Sequence, residues 1–425
     1  MQGVDPRLVI VFIWIIGCSL MAFALLLRRP SHLPGLGYAL FVAFLVRLIP
    51  ALILPRGAAY EMHVFRQAAQ VALEGQSVYL SGVPHPYLPF LLYWLVSAHW
   101  LTEYIGLSFP FWVKVPSILA ETATTGLVYS AIQQRRTKCN AIFGSWIYAV
   151  NPVTILVAAY QGQFDAIPLL CVLSAWYLSE FHSNRQWALT LSAFVLGVGV
   201  LSKVWPIILL PIVLLRLPHW RLWLRYTLTT AVVPAIGVLF YELLFPGSLP
   251  AILRRSITVG AVPGWWGYSA ILNVIVELTG HGFKLYSWFA SAGKLVALIC
   301  GTIVIFFTRN RPALASLMLT ILTLFALIPN LGLQGLSWIV PLAVIMGLLN
   351  ELKWYLAGVM LHMLISYWGI HLTSGLYLLM PAESANIIIQ LSSLTAWGVV
   401  VLWWGQQVLH RRFLPQVFFP QGQRV

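Results

Sequence analysis

Charge is scarce in this 425-residue chain, and negative charge is scarcer still. Asp, Glu, Lys and Arg make up 8% of the residues, whereas hydrophobic residues make up 60%. The 11 acidic residues include only two aspartates, Asp5 and Asp165. This composition excludes a soluble globular domain and a disordered chain. Because apolar runs of about 20 residues recur along the whole length, the sequence predicts a single all-α, polytopic membrane domain over residues 1–425.

Cysteine is also sparse, and excess positive charge is not concentrated in one patch. The four cysteines fall within apolar runs or beside a basic loop, so no structural disulfide is expected. The 25 Lys and Arg residues give a net charge of +14, but they stand at the ends of apolar runs. This distribution is typical of membrane topology signals, with lipids as the surroundings and no nucleic-acid partner. The first run, Leu8 to Leu27, is expected to be a retained helix.

The positive-inside rule orients the predicted spans. Five basic clusters are predicted to be cytoplasmic, those starting at Arg28, Arg135, Arg216, Arg309 and His410. About 12 to 13 spans result. A first external loop then covers residues 55–109, and a second external segment covers residues 245–284. The expected location is the inner (plasma) membrane, with any active site facing the periplasm or exterior.

The segment from Pro86 to Leu107 is long enough to cross the membrane, yet a crossing would reverse the side of every later basic cluster. It is therefore predicted to be a helix at the outer interface, where its Trp, Tyr and His residues suit the headgroup region. Residues 61–74 are good helix formers with an apolar side, which predicts a second interfacial helix that ends at Gly75. The first external loop is thus expected to carry two amphipathic helices.

Polar residues at or below the outer surface are the candidates for function. The stretch "YQGQFD" ends at Asp165 and places a carboxylate and two amides where the chain turns into an inward helix. Ionisable groups inside spans cost about 2.5–3.5 kcal/mol each, so Lys114 and Glu121 also need an explanation. The sequence predicts that Arg47 or Lys114 approaches Glu121 from a neighbouring helix or through water.

Three motifs resemble the GT-C superfamily of polytopic glycosyltransferases. The stretch that begins "EMHVFRQAA" at Glu61 and continues to the His85–Pro86 step resembles the family's first external loop. The stretch "KVPSILAE", from Lys114 to Glu121, resembles the basic residue and acid of the following span. The stretch "NPVTILVAAYQGQFD", from Asn151, resembles a segment of polyprenyl-phosphate-sugar-dependent mannosyltransferases, including GPI mannosyltransferase-like bacterial proteins.

The resemblance implies an architecture and a chemistry. Residues 36–217 would form the GT-C-like core, with residues 1–34 as an extra N-terminal helix and residues 226–425 as C-terminal helices. Glu61 would be the catalytic base, although the family's usual acid is the shorter Asp. Asp165 and Gln163 would line the substrate site. The donor would be a polyprenyl-phosphate-linked sugar, mannose or a similar hexose, and the acceptor stays open.

Further substrate-binding candidates come from other segments. They are His85 and Tyr87 in the first external loop, Arg254 and Arg255 in the second external segment, Lys203 after a span, and Lys114 and Glu121. Arginine suits bidentate phosphate contact, although a basic side chain at this depth also serves as a lipid-headgroup anchor. No cofactor is indicated; a divalent metal is possible but no metal ligands are identified.

Two other functional classes compete with the enzyme. A catalytically degenerate GT-C-like subunit of a membrane complex is favoured by the glutamate at position 61 and by the few external acids. A lipid flippase or transporter is favoured by the buried charges Arg47, Lys114 and Glu121. A flippase would need charged groups at several depths along a path, whereas most candidates here gather at one face.

Overall fold

The computed structural model describes residues 5–30, 32–57, 59–258, 264–371 and 379–409. Within these ranges all regular secondary structure is helical, which confirms the all-α class. The predicted basic cluster at His410 lies outside them.

Eighteen α-helices occur in the described ranges. The N-terminal half contains α1 (Pro6–Arg28), α2 (Leu36–Ile53), α3 (Ala59–Leu73), α4 (Phe90–Ile105), α5 (Phe109–Gln133), α6 (Lys138–Ala149), α7 (Pro152–Ile155), α8 (Ala166–Phe181) and α9 (Gln186–Ser202). The C-terminal half contains α10 (Leu209–Leu214), α11 (Trp220–Leu244), α12 (Leu249–Thr258), α13 (Gly267–Thr279), α14 (Phe283–Phe307), α15 (Ala313–Leu327), α16 (Ile339–Met346), α17 (Leu349–His371) and α18 (Ala382–Leu409). A π-helical segment spans Leu156–Gln161, and 3₁₀ turns span Trp205–Ile208 and Leu333–Ser337.

Five of these helices are long and apolar enough to cross a membrane, namely α1, α2, α11, α14 and α18. A bent pair, Lys138–Ala149 with Pro152–Gln161, raises the number to six if it is one span. The other predicted spans coincide with α5, α17 and shorter apolar helices such as α8, α9 and α15. The protein is therefore a multi-pass membrane protein, while the expected total of about 12 to 13 spans stays a prediction.

The apolar stretch from Lys138 to Gln161 is broken in the structure. Asn151 caps α7 by accepting hydrogen bonds from the backbone N–H groups of Val153 and Thr154. Pro152 follows at the first helical position, and the two halves meet at an angle of 43°. An Asn cap followed by Pro starts a new helix instead of continuing the old one. The stretch is therefore a bent pair of helical pieces that together are long and apolar enough for one span.

The two helices of the first external loop pack on the end of the bundle. α3 and α4 share a buried cluster with Phe109, Val113 and Phe164. Nε1 of Trp94, near the start of α4, donates to the carbonyl O of Trp112 at 3.1 Å. Only three residues separate the end of α4 from α5, so antiparallel packing would place Trp94 much deeper along α5. α4 thus crosses the start of α5, as an interfacial helix would.

The second external segment is fixed to the first external loop. Oγ of Ser77 and Oγ of Ser248 are 2.7 Å apart, and Oη of Tyr241 accepts from the backbone N–H of Val78 at 3.1 Å. The carboxylate of Glu242 accepts from the N–H groups of Gly247 and Leu249 at the start of α12. These contacts hold the end of α11 and the second external segment against the first external loop.

Candidate active site

Glu61 lies in the first turn of α3. Its Oε1 accepts a hydrogen bond from Nε2 of Gln161 at 2.9 Å. The other side of that amide is also fixed, since Oη of Tyr367 donates to Oε1 of Gln161 at 2.7 Å. Two side chains, Gln161 of the π-helical segment and Tyr367 of α17, therefore set the direction of the Glu61 carboxylate.

The second oxygen of Glu61 has a different environment. Oε2 is enclosed, and it has no hydrogen-bond partner among the described residues. A buried polar atom in that state costs about 1–3 kcal/mol, and more when it is charged. A hydroxyl group placed beside Oε2 would recover this cost by donating a hydrogen bond. This oxygen is therefore the part of the carboxylate available to a substrate.

Two glycines with left-handed backbone angles allow α3 to approach the turn that carries Gln161. Gly57 has a φ of +43°, and a Cβ there would lie 1.8 Å from the carbonyl O of Tyr160. Gly162 has a φ of +75°, and a Cβ there would lie 2.5 Å from Cε of Met62. A larger residue at position 57 would displace backbone next to Gln161, whereas at position 162 the left-handed angle itself favours glycine.

Asp165 precedes α8, and both of its carboxylate oxygens are engaged. Oδ2 lies 2.6 Å from Nζ of Lys203, and Oδ1 accepts from Nε1 of Trp338 at 2.9 Å. The ring of Trp338 stacks on that of Trp205 with centroids 3.9 Å apart. Asp165 is fully buried and does not cap α8 with its side chain. This geometry holds Lys203 in place; direct contact between Asp165 and a substrate stays a prediction.

Tyr87 lies close to Lys203 and to the carboxylates of Asp165 and Glu61. Its Oη donates to Oε1 of Gln163 at 2.9 Å, and Nζ of Lys203 lies 5.2 Å from the centre of its ring. Burial raises the pKa of Tyr87, the positive charge of Lys203 lowers it, and the negative charges of Asp165 and Glu61 raise it. The phenol therefore stays protonated and serves as a hydrogen-bond donor.

His85, in the first external loop, lies close to Arg255 of α12. His85 is fully buried, and neither ring nitrogen has a hydrogen-bond partner within the described ranges. Burial, and then the positive charge of Arg255, lower the pKa of His85 to about 3, so the imidazole is neutral. Arg255 donates to the carbonyl O of Val83, which ties α12 to the loop. Arg254, the adjacent phosphate-ligand candidate, is exposed.

Lys114 and Glu121 lie on α5 at different depths. Lys114 is fully buried, with Nζ 3.4 Å from the carbonyl O of Leu54, and it borders the Gly162 turn. Oε2 of Glu121 lies 3.1 Å from Nη2 of Arg47, which confirms that Glu121 is approached by a basic residue of a neighbouring helix. Lys114 therefore adjoins the site, whereas Glu121 belongs to a buried ion pair. Substrate binding by either stays a prediction.

Two side chains of the site escape the sequence-based prediction. Gln161 carries a signal, because it stands in the same motif as Gln163 and Asp165. Tyr367 carries none, since it lies 206 residues from Gln161 within an apolar helix. Only the tertiary fold brings these two together.

Comparison with known proteins identifies similar proteins for parts of the chain. Residues 84–245 match the family described as dolichyl-phosphate-mannose-protein mannosyltransferase. GPI mannosyltransferase 1 of Eremothecium gossypii is 31% identical over 35% of this chain and 34% of that protein. GPI mannosyltransferase 1 of Debaryomyces hansenii is 23% identical over 66% of this chain and 63% of that protein. The chain thus spans less than two thirds of the length of these curated relatives.

One solved structure is also similar, at a low level. The crystal structure of ArnT from Cupriavidus metallidurans bound to undecaprenyl phosphate aligns with 95% of this chain and 81% of that chain. The sequence identity is 14% and the TM-score is 0.40. The matches with the mannosyltransferases bear out the resemblance to the GT-C superfamily that the motifs indicate.

Proposed function

We propose that this GT-C-like membrane protein is a glycosyltransferase that moves mannose, or a similar hexose, from a polyprenyl-phosphate donor to an acceptor hydroxyl at the outer membrane face. One observation carries the proposal. Glu61 has one oxygen fixed by Gln161, while its other oxygen is enclosed and has no partner among the described residues. This is the geometry of a positioned general base before its substrate enters.

In the proposed reaction, Oε2 of Glu61 removes the proton from the acceptor hydroxyl as the hydroxyl oxygen bonds to the anomeric carbon. The bond between that carbon and the phosphate oxygen breaks, and the lipid phosphate leaves with the electron pair. A phosphate is a stable leaving group, so no second acid is needed. The reaction requires a base and a cation but no cofactor.

Lys203 is the cation that we assign to the departing phosphate. Its ammonium group is held by Asp165 at 2.6 Å, yet 19% of its side chain is exposed, which leaves it accessible to a ligand. Tyr87, under Lys203, would donate a further hydrogen bond if it exchanged Gln163 for a substrate oxygen. We retain Arg255 and His85 as donor-binding candidates because they border the same loop. Asp165 and Trp338 then act as positioning residues.

The choice of donor rests on the names of the similar proteins. The family that matches residues 84–245 is named for dolichyl phosphate mannose, itself a polyprenyl-phosphate sugar. The relatives named GPI mannosyltransferase 1 also transfer mannose by name. The outward orientation rests on the positive-inside rule, because the basic clusters at Arg28 and Arg135 are at the helix ends remote from Glu61. The acceptor is left open.

The buried contacts favour an enzyme over the two alternatives. A degenerate subunit would have no need of the hydrogen-bonded chain from Tyr367 through Gln161 to Glu61. A flippase would need a charged path across the membrane, yet Arg47 and Glu121 are closed in an ion pair with each other. The external carboxylates, not the intramembrane charges, are thus the reactive part.

Transfer can be measured directly in membranes that contain the overproduced chain. A radiolabelled polyprenyl-phosphate mannose is added. The label is then followed into products in which the mannose is no longer attached to polyprenyl phosphate. We expect transfer by the wild type and near-complete loss in Glu61→Gln. If correctly inserted wild type transfers no sugar from any polyprenyl-phosphate hexose, the degenerate subunit of a membrane complex becomes the better interpretation.

A further inference from the structure

A cavity lies at the end of the helix bundle remote from Glu61. Its volume is about 420 Å³, and it is lined by the ends of α1, α5 and α16 and by the start of α6. Ile132 in its wall is 18 residues beyond Lys114 on α5, which corresponds to about 27 Å along the helix. The cavity is therefore separate from the proposed catalytic site.

The rim of this cavity is basic. Arg29, His32 and Arg136 contribute to it from two different loops, and none of the described lining residues is acidic. Arg136 is held in place, because Nη2 donates to the carbonyl O of Met346 at 3.1 Å. Gly347, at a φ of +76°, makes room for it, since a Cβ there would lie 2.5 Å from Nη1 of Arg136.

Arg29 stands at the rim in a conformation that arginine seldom adopts. It ends α1 with a φ of +43°, and it is the one non-glycine residue with positive φ in the described part of the chain. Left-handed angles cost free energy for residues other than glycine. This backbone angle turns the chain after α1 and leaves Arg29 lining the cavity beside His32.

The wall behind the basic rim is apolar. Ile132, Ile142, Phe143 and Val344 line it, and Ile132 and Val344 are almost fully buried. The cavity also opens where several helices end, which is the level of lipid headgroups in a membrane protein. A basic rim over an apolar wall matches a ligand that joins a phosphate to a hydrocarbon part.

We propose that this cavity binds the phosphate of an anionic ligand, with a membrane lipid as the source that its apolar wall favours. Arg29 and Arg136 would contact the phosphate, and the glycerol region would lie against Phe143 and Val344. The proposal is independent of the glycosyl transfer reaction, because no residue of the Glu61 site lines the cavity.

Cys139 provides a direct reporter of ligand binding. It lines the cavity and is the exposed cysteine, whereas Cys18 and Cys171 are buried and Cys300 is half-buried. The full chain, purified in a nonionic detergent, is treated with a membrane-impermeant maleimide, and modification of Cys139 is followed by mass spectrometry. Short-chain phosphatidylglycerol, short-chain phosphatidylcholine and inorganic phosphate are the three probes.

We expect phosphatidylglycerol to slow modification of Cys139 by about fivefold or more, and the zwitterionic lipid to protect less. Because one arginine near a lipid surface contributes a factor of about five in affinity, Arg29→Gln and Arg136→Gln should each raise the half-protecting lipid concentration by that factor. Arg28→Gln is the matched control, since Arg28 is the adjacent arginine but does not line the cavity. Arg29→Gly also removes the charge of Arg29, and glycine readily adopts the left-handed backbone angle at this position.

Each outcome has a defined meaning. Protection by phosphatidylglycerol that depends on Arg29 and Arg136 supports a lipid ligand. Equal protection by inorganic phosphate supports the same phosphate site but assigns it to a soluble anion. The proposal is overturned if neither phosphatidylglycerol nor inorganic phosphate protects Cys139. It is also overturned if phosphatidylcholine protects Cys139 as well as phosphatidylglycerol does, or if Arg28→Gln weakens protection as much as Arg29→Gln does.

Discussion

Glu121 and Glu61 are both enclosed carboxylates, but the protein treats them in opposite ways. Glu121 is 1% exposed and lies 3.1 Å from Arg47. The same guanidinium also donates to Oγ1 of Thr154 and to the carbonyl O atoms of Ala43 and Ala149. Glu61 instead receives one hydrogen bond on Oε1 and none on Oε2 from the described residues. Glu121 is therefore paired with a cation, whereas Glu61 has one oxygen without a hydrogen-bond partner among the described residues.

The difference separates architecture from chemistry in a membrane protein. A buried charge that is paired joins helices, here α2 and α5, and has little capacity left for a substrate. A carboxylate with one free oxygen can accept a proton. Asp165 is intermediate, since its own oxygens are used but they present Lys203 at the edge of the site. The partners of the carboxylate oxygens thus distinguish the three side chains: an arginine for Glu121, a lysine and an indole for Asp165, and a single amide for Glu61.

The contrast between Glu61 and Glu121 is tested most strongly by removing the charge of Glu61 alone. Glu61→Gln keeps the size of the side chain but cannot accept the acceptor's proton, so we expect transfer to fall by about 10²- to 10⁴-fold. The measurement is the initial rate of transfer from polyprenyl-phosphate mannose in membranes. Expression and thermal unfolding should match those of the wild type.

Glu61→Asp tests position instead of charge. The shorter side chain withdraws the carboxylate from Gln161, so we expect a rate between those of the wild type and Glu61→Gln. A wild-type rate in Glu61→Gln would show that Glu61 is not the base.

Glu121 should show the reverse pattern, because loss of its partner should have a large effect on stability. Arg47→Met leaves Glu121 charged and buried without its partner, and we expect a loss of about 3–5 kcal/mol in the free energy of unfolding. The double variant Arg47→Met with Glu121→Leu removes both charges and should recover most of that loss. Thermal unfolding in detergent gives the comparison. Additive losses in the double variant would exclude a stabilising pair of this kind.

Lys203 should affect catalysis and also stability, because it is the charged partner of the buried Asp165. Lys203→Gln removes the cation assigned to the departing phosphate, and we expect kcat to fall by about 10²-fold. Lys203→Arg keeps the charge and should restore part of the rate. An unchanged kcat in Lys203→Gln, with normal insertion, would move the phosphate to Arg255 or another basic residue.

Tyr367 should have the smallest effect. Tyr367→Phe removes one hydrogen bond to Gln161, worth about 1 kcal/mol, so we expect a loss of about fivefold in kcat. KM for the donor should stay unchanged, since Tyr367 acts on the base through Gln161. A change confined to KM or to thermal unfolding would contradict this positioning role.

Most of the helices could be predicted from the sequence because their signals are local. The apolar runs, the amphipathic side of residues 61–74 and Gly75 at its end correspond to α1, α2 and α3 as described. The pairing of Glu121 followed from the cost of a lone charge in a span. The break at Asn151 also had a local signal, the Asn–Pro step, which the length of the apolar run concealed.

The site was predictable only where a motif carried it. Glu61, Gln163 and Asp165 stand in recognisable stretches, whereas Tyr367 is one of many tyrosines in apolar helices. Which oxygen is engaged, and by which partner, depends on packing between helices far apart in sequence. For Asp165, the partners Lys203 and Trp338 are 38 and 173 residues away, and no pattern in the chain links them.

The π-helical segment Leu156–Gln161 makes the spacing of residues, and not only their identity, a determinant of the site. A π-helical turn holds more residues than an α-helical turn, so the direction of Gln161 depends on the number of residues after Pro152. Deleting one residue from this segment would change the direction of Gln161 around the helix axis. The amide would then point away from Glu61 although every residue type of the site was still present. Among related sequences, a one-residue gap in this segment is therefore a better marker of lost activity than most substitutions around it.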